Sequence, residues 1–372
     1  MKLDTSHMRY LSKSDFRVLT SIEMGSKNHD IVPTPLIHSI SGIKNASLVN
    51  KCISNLAKIK LISRVRNAKY DGFRLSYKGY DYLALKAMVQ RESLYAVGVQ
   101  IGIGKESDIF SVANKNGETL CLKVHRLGRI SFRTVKNSRD YLGKRQSASW
   151  MYLSRLAAEK EYKFMQVLYD AGFSVPKPID NSRHHVLMSL IDGMAMLKLR
   201  EHDDPERLYN LLMNFIRRLA SQGLIHCDFN EFNIMIREYD PEEPEREAVV
   251  IDFPQCVSID HKDAKEYFER DVNCIRLFFE NKFGYVGDYP KWEEVERVGH
   301  LDVEANASGN DRKAYRELEK YMKQQLAEKE EEGKFDEDGS EEDEFEEDED
   351  SEEEQELEEE DLADQVNDLK LT

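Results

Sequence analysis

The chain has 372 residues, 40% of them apolar and 33% charged, and a net charge of -17. That length allows two or three domains with sizeable cores, no apolar stretch approaches the roughly 18 to 20 residues of a membrane span, and the opening MKLDTSHMRY lacks the apolar centre of a secretion signal. Five cysteines (Cys52, Cys121, Cys227, Cys256, Cys274), odd in number and without a CxxC pair, argue against a disulfide framework or zinc cluster and for reduced thiols.

The negative charge is concentrated near one end. Residues 328–361 hold 24 Asp or Glu against Lys329 and Lys334; they are too acidic to pack and are expected to be disordered. Residues 1–92 instead carry 16 Lys or Arg against 7 Asp or Glu, the electrostatic footprint of a nucleic-acid binder. Apolar residues at three- and four-residue spacing predict helices over 14–25, 34–41 and 46–58. Strands over 62–67 and 72–77 follow, joined through AKYD, whose Asp71-Gly72 pair is a hairpin signal. Three helices and a hairpin make a winged helix, whose third helix is the usual reading element. Lys51, Lys58, Lys60, Arg64, Arg66, Lys69 and Arg74 fall on or beside that helix and the wing, as candidate nucleic-acid contacts. A protein-docking unit is the alternative. A further helix over 80–89 leads out.

From Val97 the chain reads VGVQIGIGKESDIFSVANKNGETLCLKVHR, which predicts two strands around a turn and a third ending near Lys123. The glycine pattern is only Gly102, Gly104 and then Ser107, weak evidence alone. Lys123, however, lies inside an apolar run, where a lysine is costly unless paired, and a protein-kinase nucleotide loop sits between two strands with its lysine on the third. Gly102, Gly104, Lys105, Ser107 and Lys123 are therefore candidate nucleotide contacts. A Walker-type loop is disfavoured, because no GK[ST] follows at the right spacing. A helix over 149–171 carries Glu159 and Glu161, either of which could pair with Lys123 on spacing alone. The intervening GRISFRTVKNSRDYLGKRQSAS is basic and poor in apolar residues, expected to be mobile when unbound and able to fold onto RNA or protein.

The stretch HHVLMSLIDG predicts a strand over 186–190 running into a hinge, where Met188, Ser189 and Ile191 would meet an adenine ring. His184 and His185 are expected to be ordinary turn histidines, since no further metal ligand lies near them in sequence. A helix over 205–223, capped by Asp203 or Asp204, precedes IHCDFNEFNIM and then VVIDF. Asp228, Asn233 and Asp252, each framed by apolar runs, have the spacing by which a kinase-type site holds a base and two magnesium ions. A helix over 264–283 follows, leaving too little chain for a full peptide-binding platform.

Together, HxDxxxxN at His226, Asp228 and Asn233, DF at Asp252 and Phe253, and Lys123 upstream resemble the protein-kinase signature. GKESDIF, HCDFNEFN and IDFPQ resemble the RIO atypical kinases, and the winged helix with SRLAAEKEY and SVPKPID is similar to their type 2 members over roughly residues 1–290. The resemblance implies an α+β fold: a winged helix (1–92), then a compact two-lobed kinase-like domain with an N-lobe over about 93–188 and a C-lobe over about 189–290. A partly helical extension (291–327) and the acidic tail (328–372) complete the chain. It implies ATP and Mg2+ as cofactors, Lys123 on the phosphates, Glu161 as its partner, Asp228 as the catalytic acid or base, and Asn233 and Asp252 on magnesium. Asp252 is also implied as phosphoryl acceptor, in an ATPase cycle whose acyl phosphate is labile to water.

Departures from ordinary kinases fit that cycle. Cys227 replaces the arginine of HRD, Asn230 stands in place of a lysine, Pro254 replaces the glycine of DFG, and no APE motif follows. The implied setting is late cytoplasmic maturation of the small ribosomal subunit precursor, with its rRNA and ribosomal proteins as partners, by a monomer that shuttles through the nucleus and touches no membrane. Leu362, Val366, Leu369 and Leu371 resemble a leucine-rich signal for a nuclear export receptor. A serine kinase acting on protein partners and a catalytically silent RNA-binding scaffold are the alternatives.

Overall fold

The computed structural model describes residues 3–66, 70–128 and 146–306. Lys69, the basic segment 129–145 and the acidic tail with Leu362, Val366, Leu369 and Leu371 lie outside the described residues.

The N-terminal helices follow their caps. Helix α1 (Lys13–Gly25) starts at Ser12, whose hydroxyl accepts from the Asp15 N–H while the Asp15 carboxylate accepts from the Ser12 N–H, a reciprocal capping box. Helices α2 (Thr34–Ser41) and α3 (Ala46–Lys58) follow, the latter capped by Asn45. Strands β1 (Ile62–Val65) and β2 (Gly72–Leu75) pair antiparallel with Val65 opposite Gly72, and Val32 bridges to Phe73 on the far edge. Gly72 is required by that approach: a Cβ there would lie 2.6 Å from the Val32 carbonyl oxygen. Val18, Leu19, Ile22, Ile37, Ile53 and Leu56 form the buried centre of this winged helix.

Helix α4 (Tyr77–Gln90), capped by Ser76, does more than lead out. Tyr82 and Leu83 pack in the winged-helix core, while Leu85 and Met88 pack in the core of the next lobe with Phe110, Leu120, Leu122 and Leu187. A helix buried on nearly every side is shared between two units. The second unit is an antiparallel sheet of β3 (Ala96–Ile103), β4 (Ser107–Ala113), β5 (Thr119–His125), β6 (Pro178–Ser182) and β7 (His185–Ser189), in the order β3-β4-β5-β7-β6. Helix α5 (Gln146–Asp170) spans from this sheet to the C-lobe.

The C-lobe buries Phe164, Met165 and Leu168 of α5 against α6 (Pro205–Ser221) and α7 (Ala264–Phe283). Asp204, rather than Asp203, caps α6, accepting from the Arg207 N–H at 2.9 Å. Two small antiparallel units complete the lobe: β8 (Met194–Ala195), β10 (Ile234–Ile236) and β11 (Ala248–Val250) in one, β9 (Leu224–Ile225) and β12 (Val257–Ser258) in the other. The extension is helical at α8 (Leu301–Asn306), where Leu301 and Ala305 join the C-lobe core. No helix among the described residues is long and apolar enough to cross a membrane.

Candidate active site

Short ribbons place the acids. Strand β9 leads into the loop that carries Asp228 and Asn233, and β10 leads out of it; β11 leads into Asp252, and β12 leads away. Because β10 pairs with β11 and β9 with β12, the two loops are tied at both ends, and the Ile251 N–H donates to the Asn233 carbonyl at 2.9 Å. The Asn233 Nδ2 donates to the Asp228 carbonyl at 2.9 Å and to its Oδ2 at 3.1 Å, which turns the amide oxygen away from Asp228. Asn230 donates to Asp228 Oδ1 at 2.8 Å. An amide oxygen and a carboxylate are hard donors, so Asn233 and Asp252 fit the expectation of a magnesium site.

Cys227 and Asp252 both adopt left-handed backbone, with φ of 69° and 71°. Such a conformation at a non-glycine residue costs on the order of 1–3 kcal/mol and persists where its surroundings over-determine it. For Cys227 those surroundings are Asp271 and Arg270 of α7. The Asp271 carboxylate accepts from the Cys227 N–H at 2.9 Å and the Phe229 N–H at 3.1 Å, and Arg270 donates to the Cys227 carbonyl. Burial pushes the Asp271 carboxyl up to about 7, the two N–H donors pulling the other way. The rings of His226, Phe229 and Phe253 meet edge to face beneath the loops.

Lys123 of β5 closes the site from the other lobe. Its Nζ lies 2.8 Å from Glu161 Oε1 and 3.0 Å from Asp252 Oδ1, so Glu161 is the geometric partner; Glu159 pairs with Arg155 at 3.1 Å. The second Glu161 oxygen lies 2.6 Å from His125 Nε2. Burial opposes all three charges. The Asp252 and Glu161 carboxylates nevertheless hold Lys123 protonated above its ordinary range, and Lys123 holds both carboxyls below theirs. Lys123 and Glu161 are shut from solvent, whereas the Asp252 side chain is 39% exposed and open to a reactant.

The remaining candidates lie around this centre. Gly102 lies one residue before the end of β3, Gly104 and exposed Lys105 form the turn, and Ser107 opens β4, its carbonyl accepting from the Gly104 N–H at 2.7 Å. Met188 is buried on β7, and Ile191 follows half-buried. The Ser189 N–H is donated to the Lys177 carbonyl at 2.9 Å, so that donor is not open to a ligand. Lys51, Lys58, Lys60, Arg64 and Arg66 are all exposed on the winged helix, far from the acids in sequence, and α3 carries no acidic residue. Arg64 pairs with Asp71 at 3.3 Å, and Arg74 donates to the Asp30 carbonyl at 3.0 Å.

One sequence expectation changes. His184 and His185, expected as ordinary turn histidines, are buried and both face Asp81 of α4, at 2.7 and 3.4 Å; His184 lies in the turn, whereas His185 opens β7. Sequence reasoning also missed Asp271, Arg270 and His125. The available signal for Asp271 was an acid on the apolar face of its helix, between Phe268 and Ile275.

Comparison with known proteins agrees with the geometry. The family pattern described as Rio2, N-terminal, matches residues 8–91, and the RIO domain matches residues 108–292. The chain is 55% identical over 333 residues to the serine/threonine-protein kinase RIO2 of Saccharomyces cerevisiae, covering 84% of this chain and 78% of that one. It is 51% identical over 327 residues to the rio2 kinase of Schizosaccharomyces pombe, covering 87% and 93%. A crystal structure of the Rio2 kinase-ADP/Mg2+-phosphoaspartate complex from Chaetomium thermophilum superposes with a TM-score of 0.80 at 51% identity, covering 88% of this chain and 100% of that one. A lysine braced by a buried glutamate, an acid-and-amide loop and a winged helix in front of them thus carry one conclusion: the chain belongs to the RIO family of atypical serine/threonine kinases, in its Rio2 branch.

Proposed function

We propose that this kinase is a magnesium-dependent ATPase that passes the γ-phosphoryl group of ATP to Asp252 and then to water. The carrying observation is the Asp252 carboxylate: anchored on one oxygen by Lys123 at 3.0 Å, yet 39% exposed. In this reading Gly102, Gly104, Lys105 and Ser107 cover the phosphates, Lys123 contacts them, and Met188 and Ile191 line the base. Asn233 and Asp252 would hold magnesium, which when bound neutralises phosphate charge. A carboxylate oxygen of Asp252 bonds to the γ-phosphorus as the bond to the ADP oxygen breaks. Water then cleaves the acyl phosphate, with Asp228 placed to accept its proton. The phosphoaspartate of the Chaetomium thermophilum Rio2 complex supports this reading.

The cycle serves late cytoplasmic maturation of the small ribosomal subunit precursor, with hydrolysis driving release of the kinase. The acid-free, lysine-bearing face of α3 supports contact with rRNA. Phosphorylation of protein partners is the second reading. It is disfavoured by the short run from Asp252 to the start of α7 at Ala264, which leaves little chain for a peptide platform. Passage through the nucleus, with export directed by Leu362, Val366, Leu369 and Leu371, belongs to the same proposal.

Single-turnover hydrolysis of ATP, measured with and without purified small-subunit precursors, tests the assignment. Particles should change the hydrolysis rate, and a bound kinase should dissociate after one turnover. An unchanged rate together with retention on the particle would overturn it.

A further inference from the structure

We propose that Asp81 of the winged-helix domain is a positioning residue for the glycine-rich loop, acting through Arg126, so that the winged-helix domain sets the affinity of the kinase for ATP. The inference depends on the nucleotide site alone and not on the ribosomal partner.

Asp81 is 2% exposed on α4, the helix shared between the two cores. Its carboxylate receives both arms of the Arg126 guanidinium, Nη1 at 2.9 Å on one oxygen and Nη2 at 2.8 Å on the other. This fork fixes the guanidinium in plane as well as in distance. Arg126 follows directly on β5 and turns toward the loop by two routes. Its backbone N–H donates to the Glu106 carbonyl at 2.6 Å, and its Nε lies 3.5 Å from Asp108 Oδ2. Glu106 and Asp108 flank Ser107, where the glycine-rich turn becomes β4. The other Asp108 oxygen accepts from Gln100 of β3 at 3.3 Å, so both strands of the turn reach the same carboxylate. The next backbone N–H, of Leu127, donates to Ser154 of α5 at 3.1 Å. The end of β5 is therefore a junction where α4, the loop and α5 are registered against one another, three residues beyond Lys123.

Two histidines complete the clamp. His184 Nε2 lies 2.7 Å and His185 Nε2 3.4 Å from Asp81 Oδ1, and the Tyr80 ring stacks on His184 at 4.7 Å. Burial pushes His184 down to about 3, so it stays neutral and donates to the carboxylate. Burial would raise the Asp81 carboxyl, but these donors and the Arg126 charge hold it well below its ordinary range. Two histidines and a carboxylate are close enough to hold a metal ion. Here the guanidinium already occupies both carboxylate oxygens, so the cation of this cluster is Arg126. A buried pair of this kind contributes little net stability over an apolar pair, and its best-attested use is to fix register.

The test measures binding of Mg-ATP by calorimetry, turnover at saturating ATP, and amide exchange over residues 102–108. Asp81→Asn and Arg126→Lys should each weaken ATP binding on the order of tenfold, with the turnover at saturation moved far less, and should speed exchange in the loop. Leu85→Ala, which loosens the same helix without touching the clamp, should lower the melting temperature and leave ATP affinity unchanged. If either single variant fails to fold because it strands a buried charge, the charge-balanced pair Asp81→Asn with Arg126→Gln takes its place with the same expectation. Unchanged ATP affinity and unchanged loop exchange in the folded variants would overturn the inference, as would an equal loss of affinity in Leu85→Ala. A wild-type chain that bound no ATP would instead refute the nucleotide site itself.

Discussion

At Lys123 three charges meet with unequal access to water. Glu161 braces the lysine from beneath at 2.8 Å, Asp252 takes it from the open side at 3.0 Å, and the far oxygen of Glu161 lies 2.6 Å from His125 Nε2. Glu161→Gln takes one of two carboxylates from buried Lys123 and leaves it only Asp252 at 3.0 Å, so it should cost about 1–3 kcal/mol of stability at neutral pH and lower the rate of ATP turnover at least several-fold. Burial opposes the Glu161 charge, but Lys123 and His125 hold its folded carboxyl below the unfolded value of 4.5. The stabilisation is therefore complete above that pH and is lost as the pH falls through the lower, folded value. The gap between wild type and Glu161→Gln in urea melts should be full at pH 7 and should narrow below pH 4.5; a gap independent of pH would refute the ion-pair account. Lys123, Asp228, Asn233 and Asp252 were legible in the sequence because each sits at fixed spacing within a short strand-loop unit. Spacing alone could not separate Glu161 from Glu159, since both lie on the same helix, and only the family resemblance favoured Glu161; the turn of α5 sends it inward to Lys123 and Glu159 outward to Arg155. Asp271 and Arg270 act on a loop some forty residues away, and no local pattern links them to it.

Among the elements, α3 has the plainest division of labour. Val49, Cys52, Ile53 and Leu56 face the core, leaving Asn50, Lys51, Ser54, Asn55 and Lys58 on an exposed face without a single acid. If this face lies on rRNA, Lys51→Glu with Lys58→Glu should weaken RNA binding and reduce the slope of log affinity against log salt by about 2. An unchanged slope in filter-binding titrations from low to moderate salt would remove α3 from the interface. The limits of α3 were readable because its apolar spacing is regular and Asn45 caps it. Helix α4 was read late, from residue 80, because Gly79 weakens the helical pattern just where Ser76 starts it. Strand β6, with Pro178, Asp180 and Asn181, has poor strand propensity and is held by its pairing with β7, a tertiary effect invisible to a local pattern. The ribbons β8 to β12 have two or three residues each, too few for any periodicity.

For the molecule as a whole, the legible part was the order of the units, a winged helix ahead of a two-lobed kinase domain. Less legible was their union. Helix α4 gives residues to two cores, and Asp81 ties it to Arg126 beside the glycine-rich loop, so the boundary drawn near residue 92 is a bend in the chain and not a gap between cores. At the same scale, an acid held by Lys123 but open to a reactant, with little chain behind it for a peptide platform, supports the proposed phosphate transfer to Asp252 itself. That claim has a direct measurement. The kinase is incubated with ATP labelled at the γ-phosphate, treated with borohydride, which reduces an aspartyl phosphate to homoserine, and mapped by mass spectrometry. Label lost to hydroxylamine and homoserine at position 252, both absent in Asp252→Asn, is the predicted result. Label on serine that survives hydroxylamine, with Asp252 unmodified, would contradict it.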